Sequence, residues 1–239
     1  MTDPSIGPAE EAASRSLFEF LLRQLQERDG RIRAEDVLSA AAAIVAMRCI
    51  EAAGDFDPRN HQFTPGERVF SDRVNELFCG ERSLAETPPE TIVGILRGRL
   101  VGKGYSLEDF PDLTAVFEGF AARIGDPADW GRTPLSVPED NRPDILPMQI
   151  EYETRTAVDR LFAPLGGDRM RCLTAATLAL AEALIAVEDV IDHRVALLLA
   201  LETVNGMAKT APMTDQAYAE VAGQAPSQPV QKRPWWRFW

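Results

Sequence analysis

Apolar positions crowd residues 169–209 more densely than any other part of the chain. Leu173, Ala176, Leu180, Leu184, Val187 and Ile191 recur at steps of three or four, the spacing of one helix face. Leu178 and Ile185 widen the stripe until the helix is apolar nearly all round, which suits burial on several sides. Asp168 stands as its N-cap, after the breaker Pro164-Leu165-Gly166-Gly167. Glu188 and Asp189 interrupt the pattern, and Asp192 is placed to cap a second helix with residues 195–201 as its core. Asn205-Gly206 supplies a stop. The stretch therefore predicts a helical hairpin, and its apolarity predicts that this hairpin is the centre of the fold. It does not read as a membrane span, because Glu182, Glu188, Asp189, Asp192, His193 and Arg194 fall inside the only long apolar window.

The rest of the chain repeats the helical period. Pro8 opens a first helix, expected to run to Asp29 with Gly30 just past its end, and Phe18, Leu21, Leu22 and Leu25 form its inner stripe. A second helix is expected over 36–53, apolar on most faces, with Leu38, Ala41, Val45, Cys49 and Ala52 in one line and Gly54 as its stop. Thr64-Pro65-Gly66-Glu67 and Thr87-Pro88-Pro89-Glu90 both have the form of a capping box with proline at N1, so each predicts a helix start. The first of these helices is expected to reach Gly80, and the second to carry Ile92, Val93, Ile95, Leu96 and Leu100. Ser106 predicts a capped turn, and 111–124 a helix closed by Gly125, with Leu113, Val116, Phe117 and Phe120 on its inner face. Helices are further expected over 145–163 and from Thr214 to Ala222. No stretch shows sustained alternation with hairpin turn signals.

These patterns predict an all-α multi-helix bundle of eight or nine helices around the central hairpin. The globular body spans 9–222, and 223–239 form a flexible tail. Five prolines punctuate 126–147, so the body can be read as lobes 9–125 and 145–222 joined by a Pro-rich strap over 126–144, with Trp130 pinned to the body.

The turn Asp29-Gly30-Arg31-Ile32-Arg33-Ala34-Glu35 is similar to a turn of the tellurite-resistance helical domains, and it echoes the end of a calcium loop. A helix corner capped by glycine accounts for the same residues, and Leu25 and Glu27 occupy positions where a calcium loop places aspartates.

Candidate chemistry is sparse. Gly94, Gly98 and Gly102 recur at i, i+4 and i+8 of one expected helix, and each glycine costs about 1 kcal/mol relative to alanine there. Close helix packing offsets that cost most simply; a ligand pressed against bare backbone is the sharper reading. The only histidines are His61 and His193. Asp189 precedes His193 by one helical turn, and Asp55 and Asp57 lie near His61, but neither set makes the paired Glu-x-x-His pattern of a di-metal bundle. Turn and cap chemistry explains them, so neither a metal nor a cofactor is assigned. No nucleophile-elbow, Cys-x-x-Cys or zincin pattern occurs, and no catalytic residue is assigned. A site assembled from distant positions leaves no local trace, so the sequence leans away from an enzyme without settling the matter. Cys49, Cys79 and Cys172 read as buried reduced thiols of a cytosolic protein, and the acidic start MTDPSIGPAEE shows no secretory pattern.

Charge and the last residues give the clearest functional hint. The net charge is −12, and the body without Lys232, Arg233 and Arg237 carries −15. An acidic body argues against nucleic acid as the main partner. Three of the four tryptophans fall in the last five residues, as Trp235, Trp236 and Trp239, interleaved with Arg237 and Phe238. This end resembles the short Arg/Trp-rich peptides that insert at bilayer surfaces. Tryptophan favours the membrane interface, and each basic side chain gains about 1 kcal/mol at an anionic leaflet. Tryptophan and arginine are equally the typical anchors of protein interfaces. The sequence thus predicts a cytoplasmic, non-enzymatic adaptor that docks through Lys232, Arg233, Trp235, Trp236, Arg237, Phe238 and Trp239. The dock is a partner protein or an anionic membrane surface, with peripheral association at the inner membrane in the second case. Folding back onto the chain's own body is a third destination. The alternative is a small-molecule-binding or catalytic helical protein with a site between the lobes.

Overall fold

A computed structural model describes residues 6–26, 30–80, 87–122 and 133–223. The fold is all-α, as the apolar periodicity predicts. The described residues form nine α-helices: α1 (Pro8–Leu25), α2 (Ala34–Ala53), α3 (Asp72–Phe78), α4 (Ile92–Leu100), α5 (Leu113–Ala122), α6 (Pro147–Phe162), α7 (Arg169–Ala186), α8 (His193–Met207) and α9 (Asp215–Gly223). Backbone pairing outside helices is limited, among these residues, to isolated bridges.

Helices α7 and α8 begin where their caps predict. The Asp168 carboxylate accepts from the backbone N–H of Met170 and Arg171, and Asp192 accepts from those of Arg194 and Val195. The two arms nevertheless touch each other little, and α2 packs extensively against both. Fourteen of the twenty residues of α2 are buried, so α2 fills the centre that the hairpin alone was expected to hold. Its Ala40–Ala43 run lets neighbouring helices approach closely. Helices α1 and α4 pack on α7, α5 packs on α8, and α6 lies against α2. A single hydrophobic cluster joins residues of both halves, from Leu17, Leu38 and Leu96 to Val158, Leu180 and Leu201, so the core does not divide at the Pro-rich stretch.

Several element boundaries differ from the sequence expectation. Thr64 and Glu67 do make the capping contact, with the Thr64 N–H donating to Glu67 Oε2 at 3.0 Å, but no helix follows. Gly66 takes φ +87°, and the chain runs extended against 209–211: Val69 N–H donates to the Lys209 carbonyl at 2.9 Å, and Ala211 N–H to that of Glu67 at 2.7 Å. The helix starts later, where Ser71 accepts from the Val74 N–H. Likewise Thr91, not Thr87, caps α4, and Pro88-Pro89 form the turn before it. Gly206 does not stop α8; it lies inside the last turn, and a Cβ there would come within 2.6 Å of Thr133 Cγ2.

Gly30 takes φ +86° before α2, as a glycine-capped corner requires. Gly54 closes α2 in the left-handed conformation at φ +75°, as expected. Asp29, Gly125 and Trp130 lie outside the described residues. The described end of the Pro-rich strap is clamped to the start of α2. Arg33 donates to the carbonyls of Asp140 and Arg142 and pairs with Asp144 at 2.5 Å. Asp36 accepts from the backbone N–H groups of Asp144 and Ile145 at 2.7 and 3.2 Å.

Candidate functional site

The largest open feature with a definite chemical lining is a cleft of about 490 Å³ between α2, α6 and the start of α7. Its floor follows from one anomaly in α2. Arg48 is the only cation of an otherwise Ala-rich, buried helix, and it is itself buried. A guanidinium cannot be left unpaired there. Glu51, one turn on, accepts from Arg48 at 2.6 Å, and Asp159 of α6 accepts at 2.9 Å. Arg59, on the loop after α2, closes the square with 2.7 and 2.8 Å bonds to Asp159 and a 2.8 Å bond to Glu51. The Arg48 guanidinium also lies 5.5 Å from the centroid of Phe162. Arg169, the first residue of α7, donates to the Glu51 carbonyl at 3.0 Å, and Phe56 and Cys172 complete the wall.

The electrostatics of this square are those of a structural clamp. Burial raises the affinity of Asp159 for its proton, but hydrogen bonds from Arg59 and Arg48 outweigh it and hold the carboxyl below its ordinary range. The Arg59 guanidinium is pushed up, first by its bond to Asp159 and then, against desolvation, by Glu51. Burial pushes the Cys172 thiol up as well, which disfavours the thiolate a nucleophile needs. The cleft thus presents matched charges and two phenyl rings, with Arg169 as an exposed cation at its rim. Such a lining suits binding better than bond-breaking. The sequence carried one trace of it, the isolated Arg48 in an alanine helix; Arg59 and Asp159 are brought in only by the fold.

The residues singled out from the sequence separate. Gly94, Gly98 and Gly102 do not form a helix face. A Cβ at Gly94 would sit 1.9 Å from the Pro88 carbonyl oxygen, so Gly94 serves the turn before α4. Gly98 is exposed with nothing within 4 Å of an added Cβ. Gly102 lies beyond the end of α4 in a turn with φ +85°. The physical reason is that α4 stops at Leu100, before the third glycine.

His193 turns away from Asp189. Its ring stacks on Tyr105 with centroids 4.1 Å apart, and Nδ1 lies 3.9 Å from Asp109. Tyr105 is buried and donates to the Leu184 carbonyl at 2.8 Å; desolvation first, then Glu188 and Asp109, raise its pKa. Around His61, Asp55 accepts from Ser71, Asp57 accepts from the Arg59 N–H, and the imidazole Nε2 lies 3.1 Å from the Pro212 carbonyl. Among the described residues no group of three His, Cys, Asp or Glu side chains is arranged to hold a metal ion. Cys49 and Cys79 are buried, and burial drives the Cys49 thiol up to about 12. Lys232, Arg233, Trp235, Trp236, Arg237, Phe238 and Trp239 lie outside the described residues.

No described helix is long and apolar enough to cross a membrane. Comparison of the chain with family models, with curated proteins and with solved structures gives no match.

Proposed function

We propose that the protein is a non-enzymatic adaptor or regulator whose helical body carries an Arg/Trp-rich docking segment, residues 232–239, to a partner protein or an anionic membrane surface. The observation that carries this reading is the composition of the segment: three of four tryptophans in the last five residues, set among the basic Lys232, Arg233 and Arg237, on a body of net charge −15. Such a cluster gains little in water and much at a bilayer interface or in a protein pocket. Three cations give weak, reversible membrane binding, which fits recruitment better than permanent anchoring.

The test compares the full chain with one lacking 232–239. Both are sedimented with anionic and with neutral liposomes and used to capture partners from lysate. Loss of liposome binding, or of one reproducible partner, on truncation supports the reading. Identical behaviour of the two chains removes it.

A second reading rests on the cleft. Its volume falls in the range of small-molecule sites, and Arg48, Arg59, Arg169, Phe56 and Phe162 line it. In this reading the cleft takes a small zwitterionic or aromatic ligand. Thermal-shift screening of the full chain tests it: a ligand that stabilises wild type but not Arg59→Ala supports the reading, and equal shifts in both oppose it.

A further inference from the structure

Six large hydrophobic side chains are exposed among the described residues, and three of them, Val101, Leu107 and Val190, fall on two segments that abut. The contact between residues 101–109 and 187–194 is extensive. Tyr105 stacks on His193, Arg194 pairs with Asp109 at 3.6 Å, and Gly104 is so close to the α7–α8 turn that a Cβ would lie 2.7 Å from Glu188 Oε2. Glycine at φ +88° is what permits this approach. The two segments make one surface that is both apolar and acidic. Val190 is 73% and Leu107 54% exposed, and Glu108, Glu188, Asp189 and Asp192 are exposed beside them. Lys103 and Arg194 are the only cations on these segments, and Arg194 is already turned to Asp109.

We infer that this surface receives residues 232–239 of the same chain, so that the body covers its own docking segment until a partner or a membrane competes for it. The inference rests on the docking role proposed above. Complementarity argues for this occupant. The surface offers apolar side chains rimmed by carboxylates, and the segment offers three tryptophans and a phenylalanine interleaved with three cations. Reach permits it. From Gly223 to Lys232 an extended spacer covers about 28 Å at ~3.1 Å per residue. The surface stands at the first turn of α8, whose fifteen residues span about 22 Å, and α9 follows the far end of that helix.

Contact with the acidic rim also gives the segment a salt-sensitive, releasable hold rather than a permanent one. Release then couples to function. Whatever binds 232–239 must displace it from the turn between α7 and α8, and weakening the surface raises the fraction of free segment.

The experiment uses the full chain and two surface variants, Leu107→Lys with Val190→Lys, and Glu188→Lys with Asp189→Lys; Phe63→Lys, on the 54–63 loop, is the control. All substituted positions are exposed, and far-UV circular dichroism confirms that each variant is folded. Two readouts report on the segment: acrylamide quenching of tryptophan, dominated by Trp235, Trp236 and Trp239, and trypsin cleavage at Lys232 and Arg237 followed by mass spectrometry. In wild type the segment is protected at every protein concentration. Either surface pair accelerates cleavage about fivefold, since proteolysis follows the open fraction, while the control does not. Liposome or partner capture rises in the same variants. Equal cleavage and quenching in wild type and both pairs overturns the inference, as does protection that appears only at high concentration. Failure of the docking role reads differently: capture is then indifferent to truncation of 232–239, whatever the surface variants do.

Discussion

Glu151 and Arg155, one turn apart on α6, form a bidentate ion pair in the protein interior, with Arg155 Nε to Glu151 Oε1 at 2.9 Å and Nη2 to Oε2 at 2.6 Å. Their side chains are 3% and 7% exposed. Arg155 also donates to the Met213 carbonyl at 3.0 Å and packs its guanidinium on Tyr152, so the pair fixes the link between α8 and α9 against α6. Replacing Glu151 by Gln leaves a buried guanidinium without its counter-charge. The expected loss is about 3–5 kcal/mol of unfolding free energy. The double replacement Glu151→Leu with Arg155→Met is expected to recover most of it, because apolar side chains of similar volume need no pairing. Denaturant melts of the two variants check this; a double variant as unstable as the single one would show that the pair is needed for more than charge balance.

The glycines of α4 separate by the same kind of measurement. Gly98→Ala is expected to stabilise the protein by about 1 kcal/mol, since an exposed helical site with open space gains only the alanine propensity. Gly94→Ala drives a Cβ to 1.9 Å from the Pro88 carbonyl oxygen and must displace backbone; it is expected to be the most destabilising of the three. Gly102→Ala meets nothing but is held at φ +85°, which costs about 1 kcal/mol for a residue with a Cβ. Melting temperatures in the order Gly98→Ala, Gly102→Ala, Gly94→Ala are expected. If all three lose stability alike, the three residues share one packed face after all.

How far the sequence foretells this molecule follows from where each interaction is written. Asp168 and Asp192 act on N–H groups two and three residues away, so both helix starts of the α7–α8 pair are legible. The long apolar period of α2 predicts its burial for the same reason. What cannot be read locally is competition between a local motif and a distant strand. Thr64–Glu67 forms its capping contact, yet Lys209 and Ala211 take the following backbone into an extended pairing. The cleft is written across distances too great for pattern: Arg48 and Asp159 are 111 residues apart in sequence. Glu151 and Arg155 look like an ordinary surface pair at i, i+4; only the packing of 213–214 over them makes them interior.

Asp159 gives the cleft a defined response to acid. Its folded pKa is depressed, so its contribution to stability is complete above the unfolded value of about 3.9 and is lost as the pH falls through the lower folded value. Asp159→Asn removes the charge at every pH. Near neutrality the variant is expected to melt below wild type, and the gap is expected to close as the pH drops below about 4. Melting temperature followed against pH for both proteins checks this. A gap independent of pH in acid would mean that the Arg48 and Arg59 contacts do not depend on the Asp159 charge.

Asp36 presents the opposite sign. It is half-buried at the start of α2, and desolvation raises its carboxyl above the usual range despite the N–H groups of Ile145 and Asp144. A raised folded pKa means that the charged form is the disfavoured one: the associated stability is present below the unfolded value and is lost as the pH rises through the folded value. At neutral pH the carboxylate is therefore held at a cost, and what it supplies is acceptor geometry, with Oδ1 receiving both N–H groups. An amide oxygen supplies the same acceptor without the charge. Asp36→Asn is accordingly expected to be at least as stable as wild type near neutral pH, whereas Asp36→Ala leaves two strap N–H groups unpaired and is expected to lose about 1–3 kcal/mol. Hydrogen exchange at Asp144 and Ile145 locates the effect: slow in wild type and Asp36→Asn, fast in Asp36→Ala. Fast exchange in Asp36→Asn would show that the charge itself, and with it the neighbouring Arg33–Asp144 pair, holds the strap to α2.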